Sequence, residues 1–185
     1  MKKIVPFLLS LLALSCQAQK KSFDINKYKD AILEYAYPRF AKSAEDVRLK
    51  DYALVDIDGD GSPELWVRGD EGQDWQGVFS LDGDSLTLLA DADVCSELLF
   101  YKNAVGYNSY ISPGRVDEAY SVLKDSRIVF SAEKHMEFDI FSDEQETQYE
   151  DYMVNGKDVD EDAYNQFVLQ LGDTIEVKAE WKTLE

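Results

Sequence analysis

Residues 52–65 read YALVDIDGDGSPEL, in which short apolar runs flank a loop that holds four acids and two glycines within nine residues. The flanking runs, 52–55 and 65–67, are too short for helices and are built from residues that favour strands. Gly61 stands where such a loop needs a sharp turn. We therefore predict two strands joined by an acidic loop over 56–64.

Short apolar runs and turn signals continue to alternate toward the C-terminus. Residues 78–81 and 86–89 flank Asp82-Gly83-Asp84-Ser85, and residues 119–123 and 127–131 flank Lys124-Asp125-Ser126. Each of these segments predicts a hairpin. Further strands are predicted at 98–101, 106–111, 135–140, 152–154 and 174–181, with Asn155-Gly156 as the strongest two-residue turn signal.

A helix is predicted at each end of this β-rich region. Asp24 or Asn26 can cap the first helix, which Pro38 ends or kinks. Asp158 is predicted to cap the second, whose apolar residues recur at helical spacing. No long linker divides the chain. We therefore predict a single α+β domain over 24–185, a mostly antiparallel β-sheet meander with a helix near each end.

The acidic loop has the oxygen donors that a hard divalent cation requires. Calcium takes six to eight oxygens, so its site needs several carboxylates that converge on one point. Asp56, Asp58 and Asp60 alternate along the chain, which lets a tightly wound loop turn all three inward. Ser62 can add its backbone carbonyl, and Glu64 occupies the ninth position, where a ligand often acts through water. We predict a Ca²⁺ site formed by these five residues; the alternative is a purely polar turn.

Residues 56–64 resemble the Asp-x-Asp-x-Asp-Gly loop of EF-hands, dockerins and the calcium-binding repeats of extracellular β-propellers. The chain departs from the EF-hand at the twelfth position, because Val67 cannot supply the bidentate carboxylate found there. The flanks are also predicted strands, so a strand-loop-strand version of the site is expected. Asp70, Glu71 or Asp74 are the candidates for the missing ligand.

The N-terminus has the features of an export signal. Two lysines open the chain, and an apolar run over 4–14 follows them. This run is too short to span a bilayer but suits the core of a signal peptide. We predict a signal peptide over 1–18 and a tether over 19–23. Residues 52–65 and 154–164 also resemble segments of many small exported bacterial proteins, a resemblance that implies no particular activity.

Two processing routes fit the junction. Ala13-Leu14-Ser15-Cys16 resembles a bacterial lipobox, which implies cleavage before Cys16 and a lipid anchor on that residue. Cys16-Gln17-Ala18 instead offers small residues at the positions that an ordinary signal peptidase reads. The first route is favoured and predicts a protein lipid-anchored in the bacterial cell envelope, with membrane contact only through Cys16. The second predicts a periplasmic or secreted protein.

The charge balance limits the partners of the chain. The 185 residues carry a net charge of −18. Removal of Lys2 and Lys3 with the signal leaves 17 basic against 37 acidic residues, a net charge of −20. Such a surface repels phosphate backbones, which argues against nucleic-acid binding. It suits cations, basic partners or simple solubility.

Several residues that could carry chemistry have simpler interpretations. Because both routes remove or modify Cys16, Cys95 is left without a partner for an internal disulfide, and we predict a free thiol that is a small buried apolar residue. His135 lies on the polar side of an alternating strand and is predicted to be solvated rather than catalytic. Aromatic residues at strand spacing could line a glycan-binding surface or pack in the core. They are Trp66, Trp75, Tyr101, Tyr107 and Tyr110.

Two hypotheses of function follow from these features. The first is a calcium-stabilised, non-enzymatic, monomeric envelope or secreted protein that binds a protein or glycan ligand. The alternative is a small exported hydrolase that acts on glycan or cell-wall material. A cleft with converging polar groups and a perturbed acid or base would distinguish the second from the first.

Overall fold

A computed structural model describes residues 23–40, 48–70, 75–93, 95–112, 114–138 and 147–184. A 3-10 turn, Ile25–Tyr28, precedes the first helix. The helices are α1 (Lys29–Phe40) and α2 (Glu161–Leu171). The strands are β1 (Leu49–Val55), β2 (Glu64–Gly69), β3 (Gln76–Asp82), β4 (Ser85–Ala92), β5 (Ser96–Tyr101), β6 (Ala104–Ser112), β7 (Arg115–Lys124), β8 (Arg127–Phe138), β9 (Thr147–Val154), β10 (Lys157–Asp158) and β11 (Lys182–Thr183).

The strands form two antiparallel sheets. The first sheet has the order β11-β1-β2-β3-β4, and the second has the order β10-β9-β8-β7-β6-β5. The predicted fold class is confirmed, since the chain is one α+β domain, mostly antiparallel sheet, with a helix near each end. The meander divides between β4 and β5, where the chain leaves the first sheet and begins the second.

The domain has four layers in the order α1, first sheet, second sheet and α2. Residues on one face of the first sheet, such as Leu65 and Phe79, pack against Ile32 of α1. Residues on the opposite face, such as Val78, pack against Phe100 and other residues of the second sheet. The outer face of the second sheet packs against α2 through tyrosines. Because successive strand residues point to opposite faces, each sheet contributes to two apolar clusters.

The predicted hairpin turns are confirmed. Residues 83–84, 125–126 and 155–156 connect neighbouring antiparallel strands. Asn155 and Gly156 have φ values of 54° and 68°, as a two-residue turn of the mirror-image type requires. Asp125 and Ser126 have φ values of 52° and 55°, although neither is glycine. The turn at 125–126 therefore holds two non-glycine residues in the left-handed conformation, which costs free energy.

Two details differ from the predictions at the ends of the domain, at the cap of α2 and over residues 174–181. The N-cap of α2 is Asp160, whose carboxylate accepts a hydrogen bond from the Ala163 N–H, whereas Asp158 pairs with Met153 in the β9–β10 hairpin. Of the two predicted effects of Pro38, an end of the helix is excluded, because α1 continues to Phe40. Residues 174–181 are not a strand but an extended strap that leads from α2 to β11.

The predicted signal peptide, Cys16 and most of the tether lie outside the described residues. In the described ranges, no helix is long and apolar enough to cross a membrane.

Candidate metal centre

The acidic loop is wound tightly by its own carboxylates. Asp56 accepts hydrogen bonds from the N–H groups of Gly59 at 2.8 Å and Gly61 at 3.0 Å. Asp58 Oδ1 accepts one from Asp60 N–H at 3.1 Å. Gly59 and Gly61 have φ values of +75° and +87°, which favour glycine at both positions. The predicted sharp turn at Gly61 is therefore present.

Three of the predicted ligands converge. Asp56, Asp58 and Glu64 each offer a carboxylate oxygen, and these oxygens lie within 4.8 Å of one another. Two oxygens on opposite sides of a calcium ion, each about 2.4 Å from it, would be about 4.8 Å apart. The spacing of the three oxygens therefore fits direct coordination of one such ion.

Glu64 is the most unusual member of the group. It begins β2 and is fully buried at 0% exposure. Its Oε2 accepts a hydrogen bond of 2.9 Å from the N–H of Ile57, whose side chain joins the apolar cluster between the sheets. Its Oε1 is buried and has no hydrogen-bond partner among the described residues. Burial raises the pKa of the Glu64 carboxyl, while the Ile57 N–H and the Ser126 hydroxyl act in the opposite direction. A buried carboxylate with an unused oxygen fits a bound cation, which would neutralise it.

The other two predicted ligands are held differently. Asp60 is exposed, and its carboxylate accepts hydrogen bonds from the Ser62 N–H and the Ser126 hydroxyl. The Ser62 carbonyl accepts a hydrogen bond of 3.1 Å from the Ser126 hydroxyl. Neither residue belongs to the converging group of Asp56, Asp58 and Glu64.

The candidates for a missing ligand after β2 do not complete the site. Asp70 follows the last residue of β2, whereas Glu64 is the first residue. At a rise of about 3.3 Å per residue, the two are about 20 Å apart along the strand. Glu71 and Asp74 lie outside the described residues.

Ser126 reaches the loop from the second sheet and was missed by the sequence interpretation. Its N–H donates to Asp58 Oδ2 at 3.0 Å. Its carbonyl accepts a hydrogen bond from the hydroxyl of Ser80 on β3. Ser126 stands 68 residues after Asp58, and nothing in a local pattern reveals a contact over that distance. The sequence signal that could have pointed to Ser126 is that the turn at 125–126 has no glycine.

His135 is less solvated than predicted. Its Nδ1 lies 2.7 Å from Asp117 Oδ1, and its side chain is 33% exposed. Asp117 is buried and also pairs with Arg115 at 3.1 Å. Polar contacts thus link the three side chains on β7 and β8, and the buried Asp117 carboxylate holds the imidazole.

The aromatic residues lie mostly within the fold. Trp75 and Tyr101 are buried, whereas Tyr110 is 62% exposed. Trp66 and Tyr107 are partly buried against the apolar cluster between the sheets. The five residues therefore do not form one exposed aromatic surface.

Cys95 is a free thiol, but the prediction that it is buried is wrong, because the residue is exposed. It lies just before β5, where its N–H donates to Asp93 Oδ1 at 2.9 Å. The side chain lines an open pocket with Glu97 and Tyr110 at the edge of the second sheet, outside the apolar clusters. Its apolar character therefore does not place it in the core.

Comparison of the chain with protein-family models found no match, and searches of curated proteins and of solved structures found none either. The function must therefore be inferred from the acidic loop, where the buried Glu64 carboxylate is the feature that best fits a bound cation.

Proposed function

We propose that the protein is a non-enzymatic calcium-binding protein in which one ion at Asp56, Asp58 and Glu64 stabilises the fold. The observation that carries this proposal is the fully buried Glu64, whose Oε1 has no hydrogen-bond partner in the part of the chain that the structure describes and which lies beside two further carboxylates. Asp60 and the Ser62 carbonyl belong to the same loop and, after a small adjustment, would bring the number of candidate ligand groups to five.

The chemistry of the donors favours calcium over other ions. The candidate ligands are oxygens, which suit hard cations rather than zinc or copper. The loop is built around glycines and lies at the protein surface, so it can adapt to the six to eight ligands of calcium. Magnesium requires rigid octahedral geometry and loses its water reluctantly. Extracellular calcium is also concentrated enough to fill a weak site.

Export is part of the same proposal. The apolar run over 4–14 and the sequence before Cys16 support either a lipid-anchored envelope protein or a periplasmic or secreted one. Intact-mass measurement of protein from fractionated cells should show an acylated Cys16 or a start at Gln19. A mature protein that still begins at Met1 would contradict both routes.

We also propose that the acidic, monomeric protein binds a protein or glycan partner through its surface. The net charge of −20 after processing favours a basic partner over an acidic one.

Calorimetric titration with calcium tests the metal site directly. The wild-type protein should release or absorb heat with a stoichiometry of one, and Asp58→Ala should abolish the signal. Asp84→Ala is the matched control, because Asp84 lies on the β3–β4 turn and pairs with the exposed Lys27 rather than with the loop. Binding that is absent in the wild-type protein, or equal in the two variants, would refute the proposal.

A further inference from the structure

We propose that the hydroxyl oxygen of Ser126 is an additional ligand of the same ion, supplied by the β7–β8 turn of the second sheet. This inference rests on the proposed calcium site, and it assigns part of that site to a residue far from the acidic loop in sequence.

Ser126 lies among the oxygens of the loop. Its hydroxyl is 3.3 Å from Asp60 Oδ2 and 3.1 Å from the Ser62 carbonyl oxygen. Its N–H donates to Asp58 Oδ2 at 3.0 Å. A hydroxyl has one hydrogen and two lone pairs, so it can donate to one of these oxygens and still coordinate a cation.

The loop by itself is short of ligands. Asp56, Asp58 and Glu64 supply three converging carboxylates, and calcium takes six to eight oxygens. In an EF-hand the twelfth residue closes the shell with two oxygens, but Val67 at that position in this chain has an apolar side chain and is fully buried. A donor from another element is therefore needed, and Ser126 is already placed against the loop.

The conformation of the turn supports a requirement for the hydroxyl. Ser126 has a φ of 55°, a region in which glycine is favoured and serine is strained. Two-residue turns of this type prefer glycine at the second position. What serine adds to this turn, and glycine would not, is the hydroxyl that contacts the acidic loop.

The turn is also held in place independently of the ion. The Ser80 hydroxyl on β3 donates to the Ser126 carbonyl, so the first sheet fixes the serine backbone at the loop. A ligand that is positioned in advance loses little conformational freedom when the ion binds. The ion would thus bridge the first sheet, through the loop, and the second sheet, through the turn.

Ser126→Gly tests this inference, because glycine keeps the N–H and relieves the strained φ while it removes the hydroxyl. We expect calcium affinity to fall about tenfold, the lower end of what loss of a supporting group costs a metal site. The decay of europium luminescence, compared in H₂O and D₂O, should show one more water on the ion than in the wild-type protein.

Asn155→Gly is the matched control for the substitution. Asn155 also has a positive φ, at 54°, and its side chain makes one hydrogen bond, to the Ser131 N–H. It lies in the β9–β10 turn, so its replacement should change neither calcium affinity nor the water count. Unchanged affinity and water count in Ser126→Gly would overturn this inference alone. A wild-type protein that binds neither calcium nor europium would overturn the proposed function itself.

Discussion

Glu64 shows how a single residue can conflict with its surroundings in the metal-free protein. It opens a strand whose next three residues are Leu65, Trp66 and Val67, and the strand carries it into the interior. Burial disfavours the charged carboxylate, which is why the pKa of Glu64 is raised. The nearby carboxylates of Asp56 and Asp58 add negative charge to the same place. A bound cation would compensate the buried negative charge of Glu64, and replacement of the carboxylate by a neutral group would remove it.

The variant Glu64→Gln should therefore be more stable than the wild-type protein without calcium and should no longer respond to it. The amide oxygen can still accept from the Ile57 N–H, and the amide nitrogen can donate to the neighbouring carboxylates. At a calcium concentration 100 times Kd, the wild-type protein gains about 2.7 kcal/mol, which the variant should lack. Thermal unfolding with calcium and with a chelator measures both effects. A variant that is less stable than the wild-type protein in chelator, or that keeps the gain from calcium, would contradict this prediction.

The candidate site was only partly predictable at the scale of residues. Alternating acids and glycines follow local rules of loop geometry, so the five predicted ligands included Asp56, Asp58 and Glu64, together with Asp60 and Ser62, which do not join the converging group. The spacing did not show that Glu64 is buried, because burial depends on how the two sheets pack. Ser126 was out of reach for the same reason, since its contacts with the loop join two sheets.

At the scale of elements, α2 depends on a cap that the sequence interpretation placed two residues too early. Asp158 and Asp160 both precede the helix. Glu161 lies three residues after Asp158, and Glu161 and Asp162 directly follow Asp160. The structure resolves the choice, because Asp160 Oδ1 accepts from the Ala163 N–H at 2.8 Å. The hairpin that ends at Asp158 uses that residue for pairing with Met153.

Asp160→Ala should lower the free energy of unfolding by about 1 kcal/mol, because it leaves a helical N–H without its capping partner. Asp158→Ala should change it by less than about 0.5 kcal/mol, since that side chain is exposed. Chemical denaturation of the two variants measures the difference. Equal losses would mean that the two acids share the capping role.

Helix α2 also covers a cluster of buried tyrosines on the second sheet. The hydroxyl of Tyr164 donates to Glu118 at 3.0 Å, and that of Tyr120 donates to the same carboxylate at 3.4 Å. Burial raises the pKa of Tyr164 and Tyr120, and it raises the pKa of Tyr152 to about 12. The negative charge of Glu118 acts in the same direction on all three.

These shifts predict a loss of stability in alkali. Because the folded-state pKa values lie above the unfolded value of about 10, the tyrosines contribute stability that is fully present below pH 10. That contribution is lost as the pH rises through the folded-state values. Unfolding free energy should therefore fall above pH 10, and ultraviolet absorbance should show phenolate formation together with unfolding. Tyr164→Phe should cost about 1 kcal/mol at pH 8, from its hydrogen bond, and should reduce the alkaline loss. A phenolate signal from all tyrosines in the folded protein would contradict this prediction.

The elements themselves were largely predictable from the sequence. Hairpins at residues 83–84, 125–126 and 155–156 follow from turn chemistry between apolar runs, which is a local property. The strap at 174–181 was not predictable, because its alternating residues resemble a strand, yet they form no strand with the other described parts of the chain. Its Ile175 N–H donates to the Phe100 carbonyl, and regular pairing begins only at β11.

At the scale of the whole molecule, long-range contacts tie the two sheets together. Trp181 at the end of the strap lies 4.8 Å from the ring of Trp66, and the Arg68 guanidinium lies 3.6 Å from the Trp181 ring. Trp66 in turn contacts Phe100 of the second sheet at 4.8 Å. The Ser126 turn joins the sheets at the acidic loop. These contacts connect segments that are distant in sequence, so the division into two sheets could not be predicted from local patterns.

The net charge of the whole molecule offers a competing explanation for any effect of calcium. A chain with a net charge of −18 is destabilised by its own repulsion, and any cation relieves part of it by screening. Screening depends on ionic strength and on the charge of the cation, not on its size or its coordination geometry. Calcium and magnesium therefore screen the surface alike and differ only at a site that selects between them.

We therefore expect calcium, but not magnesium, to raise the melting temperature at a fixed ionic strength of about 0.15 M. Occupation of the loop at 100 times Kd is worth about 2.7 kcal/mol. For a protein of this size each kcal/mol shifts the melting temperature by about 2–4 °C, which gives an increase of about 5–10 °C. Magnesium at the same concentration should have a much smaller effect, because it needs strict octahedral geometry and loses its water reluctantly. Differential scanning calorimetry with sodium chloride as the balancing salt measures the three conditions, and a chelator should reverse the calcium shift. Equal shifts from the two divalent ions would show that calcium acts on the surface charge as a whole, and the acidic loop would then be only a turn.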